Sequence, residues 1–537
     1  MTSTQLPCGA RRRLLGVGAA FAAACHPLAW IDAGAQTGAA AAEAERAAGA
    51  AVRPPAFGHT FTRLFPNLPP FAEASPALNA ALLDIGRPGG AMDAGDNLAA
   101  GPIALIVDPL LSANNPNASL AGPYPGNTGS TFLGQFVDHD VTFDAGSRLG
   151  VATAPRSAIN SRRPALDLDS VYGRGPVVDP QLYQTADRAL FRLESGGVFE
   201  DLPRDANNRA QIADPRNDEH VVLAGLQGAF MLFHNHLVAR VRAGGETDPS
   251  LAFAEARRLV TWHYHWIVLN ELLPSIVGRP LVEDILLRGP RIERTRRGAD
   301  GGLAMPVEFQ GAAYRFGHSL VRPSYRVNLK GDRGGPFFGF LFDPRMEGRT
   351  DPDDLRGGCR SPRRFVGWQT FFDFGDGELK PRKLIDTRLS TPLFRLPLGA
   401  IADGSNPTSL AQRNLLRHLT WRLPSGQAIA QSLALPALRP GDLPELVGYG
   451  MGLEHNTPLW YYVLKEAALA SGGQTLGPVG GRIVAEVLLG LLQGDPDSWL
   501  QTEPHWRPTL PSRHGRGAFA MVDLLTAAGV DPASRGQ

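Results

Sequence analysis

Residues 134–143 read GQFVDHDVTF, which sets Gln135, Asp138, His139 and Asp140 inside an otherwise apolar run. Histidine moves protons near neutrality, and carboxylates hold protons or cations. Read as a helix, the stretch places Gln135 and His139 four residues apart on one face. Asp138 flanks that face, while Asp140 points about 100° away from His139. One helix end would then serve two sites, with Gln and His turned to a cavity and Asp140 to something behind it. The plainer alternative is a capped surface helix with a locally satisfied histidine.

Three further stretches carry residues of the same kind. LDLDSVYG, residues 166–173, alternates Asp167 and Asp169 with apolar residues. Close carboxylates with backbone carbonyls suit a hard cation such as Ca²⁺, and Asp140 would complete the shell; a solvated acidic turn is the commoner use of such a pattern. DPRNDEH, residues 214–220, puts Arg216 and Glu219 on one helical face. AAYRFGHSLVRP, residues 312–323, places His318 in an apolar helical segment beside Gly317, where something flat could approach. Any one of these is compatible with ordinary core or surface packing.

Helices must position them. Residues 219–241 carry an apolar stripe of Val222, Leu223, Leu226, Phe230, Phe233 and Leu237 at 3.6-residue spacing. Residues 250–273 predict a long helix with Asp248 as N-cap and Pro249 in the first turn. Residues 476–492 predict a third. Alternating strand patterns are scarce, so the expected class is mainly α, one large domain with long loops and little β.

Lys and Arg number 53 against 52 Asp and Glu, a balance that argues against nucleic acid or an anionic membrane as partner. The 61 glycines and 45 prolines predict long irregular connections. Residues 1–35 combine Arg11–Arg13, a short apolar run and a small-x-small signal ending at Ala35, the pattern of a twin-arginine export leader. That run is too short to span a membrane stably. Residues 36–52 read as a low-complexity linker, leaving 53–537 as the catalytic domain and a secreted or periplasmic location. The cysteines are Cys8, Cys25 and Cys359. Leader removal would leave only Cys359, so no disulfide framework is expected. Cys25 follows a loose lipobox that lacks its leucine.

Seven stretches taken in order resemble the animal-type haem peroxidases of the peroxidase–cyclooxygenase superfamily. They are GQFVDHD, LDLDSVYG, RNDEH with FHNHL, ARRLVTWHYHWIV, AAYRFGHSLV, RNLLRHLTWRLPSGQ and TPLWYYVLKEA. The likeness runs from about residue 55 to about residue 500, and the chain is read as a bacterial member. It implies haem b and calcium as cofactors, hydrogen peroxide as oxidant and a small donor such as halide, thiocyanate or a phenol, through an iron–oxo intermediate. By the same resemblance, His139 with Gln135 and Arg216 are the catalytic set, and His318 ligates the haem iron. Asn414 accepts a hydrogen bond from that ligand, Arg315 and Arg417 lie near the propionates, and Asp138 and Glu219 are placed for ester links to the haem. The calcium shell would comprise Asp140, Asp167 and Asp169 with the carbonyls of Arg163 and Ala165.

Departures from the family pattern are His220 where some relatives carry Met, Arg163 in place of Thr, and His418 in place of Gly. The competing reading is a fatty-acid dioxygenase or cyclooxygenase-like enzyme, whose radical tyrosine lies three residues before the haem ligand. Arg315 holds that position here, and on a helix the neighbouring Tyr314 would point elsewhere. A haem-binding or adhesive protein without turnover is a third reading, disfavoured because His139 and Arg216 are both present. His234, His236, His263 and His265 are read as packing residues.

Overall fold

The computed structural model describes residues 59–108, 111, 126–195, 199–292, 302–358, 362–401 and 404–537. The export leader, the linker and all three cysteines lie outside the described residues. His59–Gln537 forms one unit, mainly helical.

Local chemistry explains where the helices that build the site begin. Asn127 caps α1 (Thr128–Val141) by accepting from the Ser130 amide at 2.6 Å. α2 (Val221–Ala243) starts two residues later than its apolar stripe predicts, because His220 is extended and serves as the cap, its Nδ1 accepting from Leu223 N–H at 3.4 Å. The preceding Pro215–Asp218 forms a separate 3₁₀ turn capped by Asp214. α3 (Pro249–Ile267) has the predicted Asp248 cap, with bonds of 2.8 and 3.0 Å to Ser250 and Leu251. It runs on through a π-helical turn, Val268–Leu272, into Leu273–Val277 and stops at Gly278, whose φ is 81°.

α1, α2 and α3 share the core. Phe136 of α1 stacks on Phe230 of α2 at 4.9 Å, and Phe230 meets Tyr264 of α3 edge-on at 5.8 Å. By length and apolarity α2 passes for a membrane span, but 83% of its apolar window is buried, as in the central helix of a folded core. α4 (Leu410–Thr420) lies close to the helix Pro76–Ile85. A Cβ on Gly86 would stand 2.6 Å from Gln412 N, so only glycine permits the approach. α5 (Leu459–Ser471) and α6 (Pro478–Gly494) complete this side; α6 starts at the proline of the predicted third helix.

Strand is sparse among the described residues. The longest pair is a hairpin, β1 (Ser324–Asp332) with β2 (Gly335–Phe340). Its two-residue turn, Arg333 and Gly334, holds φ values of 52° and 86°, the positive pair of a type I′ turn. β2 leads directly into Leu341 and Phe342, which reach the cavity described next.

Candidate active site

A cavity of ≈ 220 Å³ collects residues from all four site-bearing stretches but one. α1 contributes Gln135, Asp138 and His139, and the 3₁₀ turn and α2 cap contribute Arg216, Glu219 and His220. The segment Ala313–Leu320 contributes Tyr314, Arg315, Gly317 and His318, and α4 contributes Arg413 and Arg417. The exception is the Asp167–Asp169 loop, which lies behind α1 with Asp140.

His139 is almost wholly buried, and its Nδ1 lies 2.9 Å from Asn217 Oδ1. Asn217 is turned that way because its Nδ2 donates to Gln227 Oε1 of α2 at 2.8 Å. An oxygen therefore faces Nδ1, the ring proton sits there, and Nε2 keeps its lone pair. Burial, reinforced by the Arg216 charge, pushes the His139 pKa down to about 3, so the ring is neutral across the ordinary range.

Arg216 is gripped from one side. Asp214 accepts from its backbone N–H at 3.0 Å, from Nε at 3.0 Å and from Nη2 at 2.7 Å, and Nη2 also donates to the His139 carbonyl at 3.0 Å. The guanidinium lies 4.2 Å over the Phe143 ring. No hydrogen bond claims Nη1 among the described residues. Although burial opposes it, Arg216 and Arg162 hold the enclosed Asp214 carboxyl below the usual carboxylate range. Asp214 and Asn217 were not predicted as site residues. Their only sequence signal is proximity to Arg216, because their roles come from burial in one tight turn.

Gln135 bridges two neighbours: Nε2 donates to Glu219 Oε2 at 3.1 Å, and Oε1 lies 3.1 Å from His220 Nε2. Since His220 Nδ1 accepts at the helix cap, its Nε2 carries the proton and donates to Gln135. Burial pushes the Glu219 carboxyl up to about 8 and raises Asp138 as well.

His318 lies in a 3₁₀ helix rather than an α-helix. Consecutive side chains there point about 120° apart, yet the cavity wraps around the segment far enough that Tyr314 and Arg315 both line it. Burial, then Arg315 and Arg417, lower the His318 pKa to about 3, leaving a neutral imidazole. Asn414 lies against His318, with its amide nitrogen rather than its oxygen toward the ring. Its Nδ2 lies 2.7 Å from His318 Nδ1, because Arg315 Nη1 takes its Oδ1 at 3.3 Å. Ligation through Nε2 requires Oδ1 to face Nδ1, a 180° turn of the amide that would also release Arg315 Nη1. Arg417 pairs with Asp144 at 3.5 Å.

His418, unexplained by sequence, acts as a joint. Its Nδ1 lies 3.1 Å from the Asn414 carbonyl, and its Nε2 accepts from Trp460 N–H of α5 at 2.9 Å. Trp460 Nε1 in turn donates to the Arg315 carbonyl at 3.0 Å. His234, His263 and His265 are buried and bonded to Tyr172, Leu259 and Leu166, as packing residues should be; His236 instead is exposed.

Behind α1, one carboxylate oxygen from each of Asp140, Asp167 and Asp169 lies within 4.8 Å of the others. Leu168, between two of them, holds a φ of 57°, a region leucine rarely adopts. Burial and mutual repulsion raise Asp140, and push Asp169 up to about 7. The predicted carbonyl of Arg163 accepts from Ala165 N–H at 2.7 Å, and the Arg163 guanidinium lies 3.0 Å from Asp167.

Residues 128–336, which carry His139, Arg216, Glu219 and His318, match the family model for animal haem peroxidases. The match covers residues 128–336 of the chain's 537. The matched stretch stops short of Asn414 and Arg417. The chain is 25% identical over 303 residues to the Drosophila melanogaster chorion peroxidase, covering 52% of this chain and 34% of that protein. It is 26% identical over 249 residues to Mus musculus thyroid peroxidase, covering 41% and 26%. The chain thus spans about a third of one of these relatives and about a quarter of the other. Peroxidase A from Dictyostelium discoideum shares the fold over 88% of this chain and 93% of its own, with a TM-score of 0.59 and 15% identity.

Proposed function

We propose that the chain is a haem peroxidase that reduces hydrogen peroxide and oxidises a small donor. The observation that carries this reading is one cavity walled by two neutral imidazoles, His139 and His318, with Arg216 beside the first. The cavity fits a flat, polar-edged group. A side chain at Gly317 would meet nothing within 4 Å, and the buried hydroxyls of Thr131, Thr142, Ser147 and Tyr314 on its wall have no hydrogen-bond partner. His318 would hold the haem iron, oriented by Asn414; Arg315 and Arg417 would face the propionates, and Asp138 and Glu219 the ring edge, where ester links could form.

Bound haem supplies the redox chemistry. The chain's residues supply proton handling: His139 Nε2, kept unprotonated by the Asn217–Gln227 pair, accepts a proton from peroxide and returns it to the departing oxygen. Arg216 Nη1 faces the negative charge that develops there. Calcium in the three-carboxylate cluster, and export of the chain, belong to the same proposal. Halide, thiocyanate, phenols and Mn²⁺ are the donors to compare.

The test is the absorption spectrum of the haem-loaded protein with peroxide-dependent bromide and phenol oxidation. Arg216→Ala is expected to keep the haem spectrum and lose turnover by about 10²- to 10³-fold, the scale for one charge-stabilising group. Full activity in that variant would remove Arg216 from the mechanism. One observation favours a lipid oxygenase as second reading, the buried, partnerless Tyr314 hydroxyl on the cavity wall. Oxygen uptake with oleate or arachidonate in the absence of peroxide would support it.

A further inference from the structure

Arg162 occupies the space between the acidic cluster and the carboxylate that grips Arg216. Its Nε lies 3.0 Å from Asp214 Oδ2, and its Nη1 lies 3.4 Å from Asp169 Oδ1. Nη2 donates to the Ala213 carbonyl at 3.2 Å, and the side chain is only 11% exposed. Asp214 Oδ2 is therefore shared by two guanidiniums, accepting Arg216 Nη2 at 2.7 Å on its other side. The result is an unbroken line of alternating charges: Asp169, Arg162, Asp214, Arg216. Arg163 also touches the cluster, through Asp167 and through its backbone N–H to Asp169 at 3.1 Å, but makes no contact with Asp214.

We propose that Arg162 is a positioning residue that links occupancy of the Asp140–Asp167–Asp169 cluster to the charge Arg216 presents in the cavity. The inference rests on the peroxidase reading and extends it. A divalent cation in the cluster claims the Asp169 oxygens and repels Arg162. Arg162 then pairs wholly with Asp214. A carboxylate held more tightly by one guanidinium holds the other less, so Arg216 turns more of its charge to the cavity. Cation binding thereby tightens the binding of an anion beside Arg216, and by reciprocity such an anion tightens the cation by the same factor.

The experiment uses the full haem-loaded chain, with calcium affinity measured by titration calorimetry with and without saturating cyanide. The wild-type protein is expected to bind calcium at least about fivefold more tightly when cyanide is bound, at the lower end of usual coupling factors. Arg162→Met is expected to bind both ligands with the coupling reduced to about onefold, and Arg162→Lys, which keeps the charge, to retain part of it. Arg163→Met should change calcium affinity while leaving the coupling intact. Equal calcium affinity with and without cyanide in the wild-type protein overturns the inference, as does absence of calcium binding. Failure of cyanide to shift the haem spectrum defeats the peroxidase reading itself, which separates the two failures. Should Arg162→Met not fold, the wild-type measurement and Arg162→Lys still decide the matter.

Discussion

Asn217 has no reach into the cavity of its own, yet it decides which nitrogen of His139 is basic. Asn217→Leu keeps the branching and heavy-atom count of the side chain and removes the acceptor. Peroxide turnover is expected to fall about 10- to 100-fold with haem still bound, the usual cost of losing an orienting partner; steady-state kinetics beside the absorption spectrum would show it. Glu219 gives a pH signature. Its carboxyl is raised from 4.5 to about 8, so the fold favours its protonated form. That stabilisation is complete below pH 4.5 and is lost as pH rises through 8. The melting temperature of the wild-type chain should therefore fall relative to Glu219→Gln between pH 5 and 8. His139, lowered from 6.5 to about 3, has the opposite sign: its contribution is present above 6.5 and lost as pH falls toward 3. Helical spacing made the shared face of Gln135 and His139 legible in the sequence, whereas the reading of Gln135, His139 and Arg216 as one set came from the family resemblance. The polarity of Asn414 was not legible, since it depends on Arg315, 99 positions away.

At the level of elements, the N-caps at Asp248 and the apolar stripe of α2 were readable because they are local. The joint at His418 was not, because its partner, Trp460 N–H, comes from another helix 42 residues on. Replacing His418 by Gly removes a fully buried ring and orphans that N–H. A loss of roughly 2–4 kcal/mol in urea unfolding is expected, from cavity, lost bond and helix propensity together. The π-turn after α3 and the 3₁₀ winding around His318 also escaped prediction, since a change of winding leaves the apolar pattern almost intact.

For the molecule as a whole, the core of the described residues is built by packed aromatics and helices. Were the expected leader removed after Ala35, Cys359 would be the one thiol left and no intramolecular disulfide could form. Adding a reductant should leave the thermal unfolding midpoint of the processed chain unchanged within error; a drop would show a cross-link that the sequence reading excludes. The mainly helical class was legible from the scarcity of alternation. The hairpin was the exception: its turn needs Arg333 in a positive-φ conformation that arginine seldom adopts.

That hairpin gives the cavity walls of two kinds. Leu341 and Phe342 hang from the end of a ribbon, whereas His139, Arg216 and His318 are set by capped helices and tight turns. On the proposed peroxidase reading, position 341 is the freer place to retune donor size, because Phe342 also packs edge-on against His220 at 6.4 Å, which holds Gln135.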